Sequence, residues 1–365
     1  MNRNNVDPHP PWMTEDDPLA DAVVQDWLRA DQAHRQLLLQ GMTSGVRHIP
    51  DAPQSYRAFL EHAEKALAGA PDLALATQAY LLATPLWLSI ALGPGALVHT
   101  YSDPSIARTL VRTGRLLEES VARRLAETQL WNLQLFRPQA WTLGGVGYVH
   151  TLQVRLMHAK VRASLADRNH AGQSVNEIIT QRQMVRTWLG FSAVGTAALE
   201  RLGFEWTVEE RANVAQLWTL VGHLLGIPSG CLEDLSQPHG PPSWLSGINP
   251  MQFLPSEDGT RLTHAMLSSL GKRMSVLLNL PEPVSTGLMH AFARLIHGDE
   301  VADVMGINRT EMMALAPVFV DANRYRLQQL RLDESRKQAA LTQTAQDVEA
   351  ICASLTGPAA YQHSA

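Results

Sequence analysis

The spacing of apolar residues constrains this chain more than any other feature: they recur every three to four positions along nearly the whole sequence and almost nowhere alternate. A 3.6-residue period lines one face of a helix, whereas a half-buried strand needs strict alternation. The sequence therefore predicts an all-α fold built as a single large helical domain. Helices are expected at about 14–40, 55–69, 72–92, 103–135, 148–167, 174–202, 207–225, 260–280, 284–297 and 309–354, with Asp103-Pro104 and Thr207-Val208-Glu209-Glu210 as amino-terminal starts and Gly203 as a stop. The organisation read from this pattern is an amino-terminal helical extension over 1–70, a core over 71–320, and a polar helix and tail over 321–365. The stretch 321–350, mostly polar and charged, is expected on the outside as a solvated face.

Composition removes several classes of function. With 45% hydrophobic and 18% charged residues the chain can bury a core, and a formal net charge of -5 offers no basic field for a phosphate backbone, so nucleic acid is not an expected partner. Two cysteines, Cys231 and Cys352, make neither a disulfide framework nor a thiolate metal site. The opening MNRNNVDPHPPWMTEDDPLAD has prolines and acids where an export signal needs an apolar run, so a cytoplasmic location is expected. From Leu73 to Ser102 no residue is formally charged. That length admits a membrane association as well as a buried core helix, but Pro85 and Gly93-Pro94-Gly95 are expected to break it. The Pro-, Gly- and Ser-rich stretch 227–258 reads as a long surface connection, a lid in form. No GxxxxGK[ST] loop and no GxSxG elbow is present, and Gly144-Gly145-Val146-Gly147 follows no strand, so it is not a dinucleotide fingerprint.

The chemistry concentrates in 144–162, GGVGYVHTLQVRLMHAKVR. Three glycines let the backbone turn or approach something closely, and a helix is expected to start near Tyr148. On it Arg155, His158 and Arg162 stand at i, i+3 and i+7, one stripe. Two guanidinium groups flanking a histidine are costly to bury unless something anionic lies opposite. A haem meets that need: its iron takes a neutral imidazole and its propionates suit arginines. A satisfied core or surface histidine fits the same spacing. Upstream, Arg124, Glu127, Thr128 and Trp131 share a second helical face. It is either an exposed face with an Arg124–Glu127 pair or a pocket wall above a cofactor. Trp218 with Gly222 and His223 reads as a helix–helix contact, and His290 with His297 lacks the carboxylate-rich context of a metal motif.

The run VRLMHAKVR after its glycine-rich turn, preceded by RRLAET, resembles the rubber oxygenase and latex-clearing protein family, also described by its MpaB-like oxygenase domain. GQSVNEIITQRQMVRTWLGFSAVGTAALERLGF, LWTLVGHLLGIP and HAFARLIHGDEVADVMGI are similar to the family's later landmarks and occur in its order, so the resemblance covers about 100–310. It implies a globin-like helical core holding haem b and using O2 to cleave carbon–carbon double bonds of a small lipophilic substrate. By motif match His158 is the iron ligand, Arg155 and Arg162 support the propionates or the ligand helix, and Arg124 and Thr128 match the Arg and Thr of the distal helix. Family members that cleave rubber carry a lysine where this chain has Glu127. An acid cannot replace an amine without changing local charge, so their distal ligation does not carry over. Glu127 becomes either a proton shuttle or the partner of Arg124. The family's glutamate base has no clear counterpart: Glu118 and Glu119 are near, while Arg108 holds the ungapped position. The reading is a haem-dependent oxygenase, with a peroxidase-like or natural-product-tailoring haem enzyme and a non-enzymatic haem sensor or carrier as alternatives.

Overall fold

Asp17 followed by Pro18 starts the first α-helix, Pro18–Arg29: the carboxylate accepts the Ala20 amide and proline sits at a position where its missing N–H costs nothing. Asp31 does the same for Gln32–Ser44 through the His34 amide. The expected helix over 14–40 is thus two, parted at Ala30-Asp31, where Asp31 caps the second. In the computed structural model, residues 11–112, 118–168, 178–236, 254 and 256–359 are described, and among these there is no strand. The lid reading of 227–258 falls largely outside the described residues, its described part being mainly the helix Ser229–Ser236.

The contacts group the chain into two compact units whose segments alternate in sequence. One comprises the described residues of 1–75, 137–186 and 212–250, the other those of 76–136, 187–211 and 251–365. In the first, helix Val146–Arg168 packs on Pro18–Arg29 and Gln32–Ser44, and Pro18–Arg29 also packs on Gln54–Ala68. Its start is fixed by Gly144, whose φ of 77° and contact with the Thr43 carbonyl exclude a side chain. What the glycine cluster approaches closely is this protein's own backbone.

The second unit is built on the uncharged run. Helix Ala74–Leu81 ends at a turn before Thr84, and the chain then continues through Thr84–Ile90, a π-helical segment Ala91–Leu97 and Val98–Tyr101. Gly93-Pro94-Gly95 therefore does not end the helix. The wider π turn accommodates Pro94, and His297 Nε2 donates to the carbonyls of Pro94 and Gly95 at 2.8 and 3.1 Å. A second π segment, Gly190–Val194, packs against the first. No single helix among the described residues is long and apolar enough to cross a membrane; one pair bent by 89°, Ala74–Leu81 with Thr84–Tyr101, passes by length and composition. The polar carboxy-terminal region is two helices, Ala316–Leu332 and Glu334–Ala359, parted at Asp333, whose carboxylate accepts the Arg336 amide. The second packs on helix Glu118–Gln134 and buries a narrow stripe of Leu341, Thr344, Val348 and Cys352.

Candidate functional site

Arg155, His158 and Arg162 lie on the helix Val146–Arg168, as their spacing requires. The anion opposite the two arginines comes from the chain itself. Arg155 is buried and donates through Nε and an NH2 group to the two oxygens of Asp17 at 2.6 and 2.8 Å. Its remaining nitrogen donates to His62 Nδ1 at 3.4 Å, and the guanidinium lies 5.0 Å from the Phe59 ring centre. Arg162 donates twice to Asp21 Oδ1, at 2.9 and 2.7 Å, and to the Ile179 carbonyl at 3.3 Å. Of the two roles left open for these arginines, support of the helix is the one their contacts display.

His158 sits between the two pairs. The residue is partly accessible, yet its ring Nδ1 is buried with no hydrogen-bond partner among the described residues. Burial, with the Arg162 guanidinium adding to it and Asp17 opposing, pushes its pKa down to about 4. The imidazole is thus neutral at physiological pH, the state in which it ligates a metal. A neutral imidazole with a buried, unsatisfied nitrogen, on a residue that is partly accessible, fits a proximal haem ligand. Among the described residues no three His, Cys, Asp or Glu side chains gather into a metal site of their own. Gly226 closes the neighbourhood: in the turn ending helix Val208–Leu224 its φ is 80°, and a Cβ there would meet Arg155 Nε and Asp17 Oδ2, each at 2.6 Å. The Ile227 and Gly226 amides bond back to Gly222 and His223 carbonyls, which is the left-handed helix stop that glycine favours. The sequence landmark LLGIP thus earns a physical reading.

Arg124, Glu127 and Thr128 belong to the other unit, on helix Glu118–Gln134. The expected Arg124–Glu127 pair is replaced. Arg123 Nε lies 3.7 Å from Glu127 Oε1, one turn away, while Arg124 reaches the Tyr101 hydroxyl at 3.4 Å and packs 6.0 Å from that ring. One Arg124 NH group is buried without a partner among the described residues. Thr128 turns its hydroxyl to the Arg124 carbonyl at 2.8 Å. Trp131 stacks edge-on to Phe191. The side chains of Glu118 and Glu119, and Asn176 and Glu177 of the run GQSVNEIIT, lie outside the described residues. Arg108 is exposed. Sequence reasoning missed Asp17, Asp21 and Tyr101; the acids counted only among the prolines and acids that speak against an export signal. His290 and His297 hold backbone rather than metal: His290 Nδ1 accepts the Asn308 amide at 3.1 Å.

The comparisons with known proteins supply the family. The family described as ER-bound oxygenase mpaB/B'/rubber oxygenase, catalytic domain, matches residues 79–325. The chain belongs to that family and is an oxygenase of it. Among solved structures it is similar to latex clearing protein LCP in the closed state, at 21% identity and a TM-score of 0.63, over 93% of this chain and 91% of that one. That likeness is one of fold. No curated protein matches.

Proposed function

We propose that this chain is a haem b-dependent oxygenase that uses O2 on a small, lipophilic, unsaturated substrate in the cytoplasm. The observation that carries the reading is His158: a neutral imidazole, its Nδ1 buried and unsatisfied, on a helix pinned on either side. One protein imidazole suffices for haem, because the macrocycle provides four further ligands. When bound, the haem supplies the dioxygen chemistry; the chain supplies ligation, orientation and exclusion of water. Arg155 and Arg162 fix the helix that carries the ligand. Arg124, one of several described arginines with a buried nitrogen lacking an acceptor, is a cation that can meet an anionic or polarised oxygen, and Thr128 is its neighbour on the same face. In this reading Glu127, 18% exposed beside Arg123, is the group that exchanges protons. The same glutamate, standing where rubber-cleaving relatives have lysine, favours a second reading in which the haem chemistry is peroxidase-like or tailors a natural product.

The deciding experiment is the visible spectrum of wild type beside His158→Ala, both produced with full haem supply. The expected result is a Soret band in wild type and its loss or gross change in the variant. A wild type without haem, or a variant with an unchanged spectrum, overturns the reading.

A further inference from the structure

We propose that Asp17 and Asp21 are positioning residues for the haem ligand: from a helix outside the matched catalytic region they lock the helix that carries His158 at both ends of the ligand's own two turns. The inference rests on the haem reading above. Asp17 and Asp21 are one turn apart, and Arg155 and Arg162 are two turns apart with His158 between them. The long guanidinium side chains take up the difference in rise. At one end the pair is bidentate and almost wholly buried, Asp17 8% and Arg155 3% exposed. Asp17 also caps its own helix at Ala20, so the oxygen that orients the first helix is held by the Arg155 guanidinium. At the other end Arg162 joins Asp21 to the Ile179 carbonyl. Neither aspartate touches His158. What two pairs achieve, and one could not, is to stop helix Val146–Arg168 from both rotating and sliding. Either motion carries the ring away from an iron, and a site of this kind tolerates little displacement. Residues 17 and 21 precede the matched region at 79–325, so the amino-terminal helix is a working part of the site rather than an appendage.

The test uses the full-length chain loaded with haem. Asp17→Asn, Asp21→Asn, the double variant and the conservative Asp17→Glu are compared with wild type for haem transfer to excess apomyoglobin, for the ferric spectrum, and for melting of the haem-free form. The expected result is haem loss about tenfold faster in Asp17→Asn, the scale typical of groups that orient a metal ligand, with a shifted ferric spectrum. Asp21→Asn, whose carboxylate is 31% exposed, shows a smaller change of the same sign and remains folded. Asp17→Glu recovers most of the wild-type rate. Haem loss and spectrum within twofold of wild type in both single variants would overturn the proposal while leaving the haem reading intact. So would faster loss that merely parallels lower melting of the haem-free form, with no spectral shift. A wild type that takes up no haem overturns both.

Discussion

Replacing Gly226 by alanine attacks the buried Arg155–Asp17 pair from a third side, without touching either charge. Two costs add. The residue holds φ at 80°, and a left-handed backbone costs an alanine about 1–2 kcal/mol. The new methyl would stand 2.6 Å from both Arg155 Nε and Asp17 Oδ2, so one of them must move. Ends of side chains usually yield cheaply, but these two are locked to each other in a dry setting, and separating such a pair costs about 3–5 kcal/mol. The sum is about 4–7 kcal/mol. For a chain of this size that lowers the melting temperature by on the order of 10 °C. The assay is thermal unfolding followed by far-ultraviolet circular dichroism, with Gly230→Ala as control. Gly230 lies in helix Ser229–Ser236 with nothing within 4 Å of its would-be Cβ, so alanine there is expected to stabilise by about 0.5–1 kcal/mol. If Gly226→Ala melts with Gly230→Ala, the glycine is not the keystone of that ion pair and the reasoning fails.

Other outcomes follow from the same contacts. His290 is held at about 4 by burial, with His264 and Arg294 adding to it, below its ordinary 6.5. Its stabilising neutrality is complete above about pH 6.5 and is lost as pH falls toward 4, by about 2 kcal/mol at pH 5. In urea unfolding at pH 7.5 and 5, His290→Gln, which keeps an acceptor for the Asn308 amide, should show a smaller loss than wild type; an equal loss refutes the assignment. His297→Leu removes the imidazole donor from the Pro94 and Gly95 carbonyls, the latter of which also accepts the Val98 amide, and should cost about 1–3 kcal/mol, with His297→Gln closer to wild type in the same melts. Glu127→Gln, at equal haem content, should slow turnover severalfold and alter its pH profile, and unchanged turnover ends its role as proton carrier.

Much of this was legible in residue order alone. The 3.6-residue period announced an all-helical protein, and the stripe Arg155, His158, Arg162 lay where the spacing put it, because helix geometry is set by local bonding. Helix ends were harder. The break at Ala30-Asp31 depends on a single capping oxygen of Asp31, and Pro94 looked like a stop because the spacing of residues does not announce the π turn that accommodates it, on which His297, some two hundred residues away, packs its imidazole.

Partners across the fold were beyond the sequence. It showed that two buried guanidinium groups need an anion, since desolvated charge must be compensated whatever the fold. It could not show that Asp17 and Asp21 supply one, because that choice is made by how helix Pro18–Arg29 packs on helix Val146–Arg168, some 140 positions on. The intrahelical pair of Arg124 failed likewise: spacing offered it Glu127, while packing brought Tyr101 within reach. Local periodicity and the cost of burying charge were written in the chain; which oxygen answers which nitrogen was decided only when helices distant in sequence came into contact.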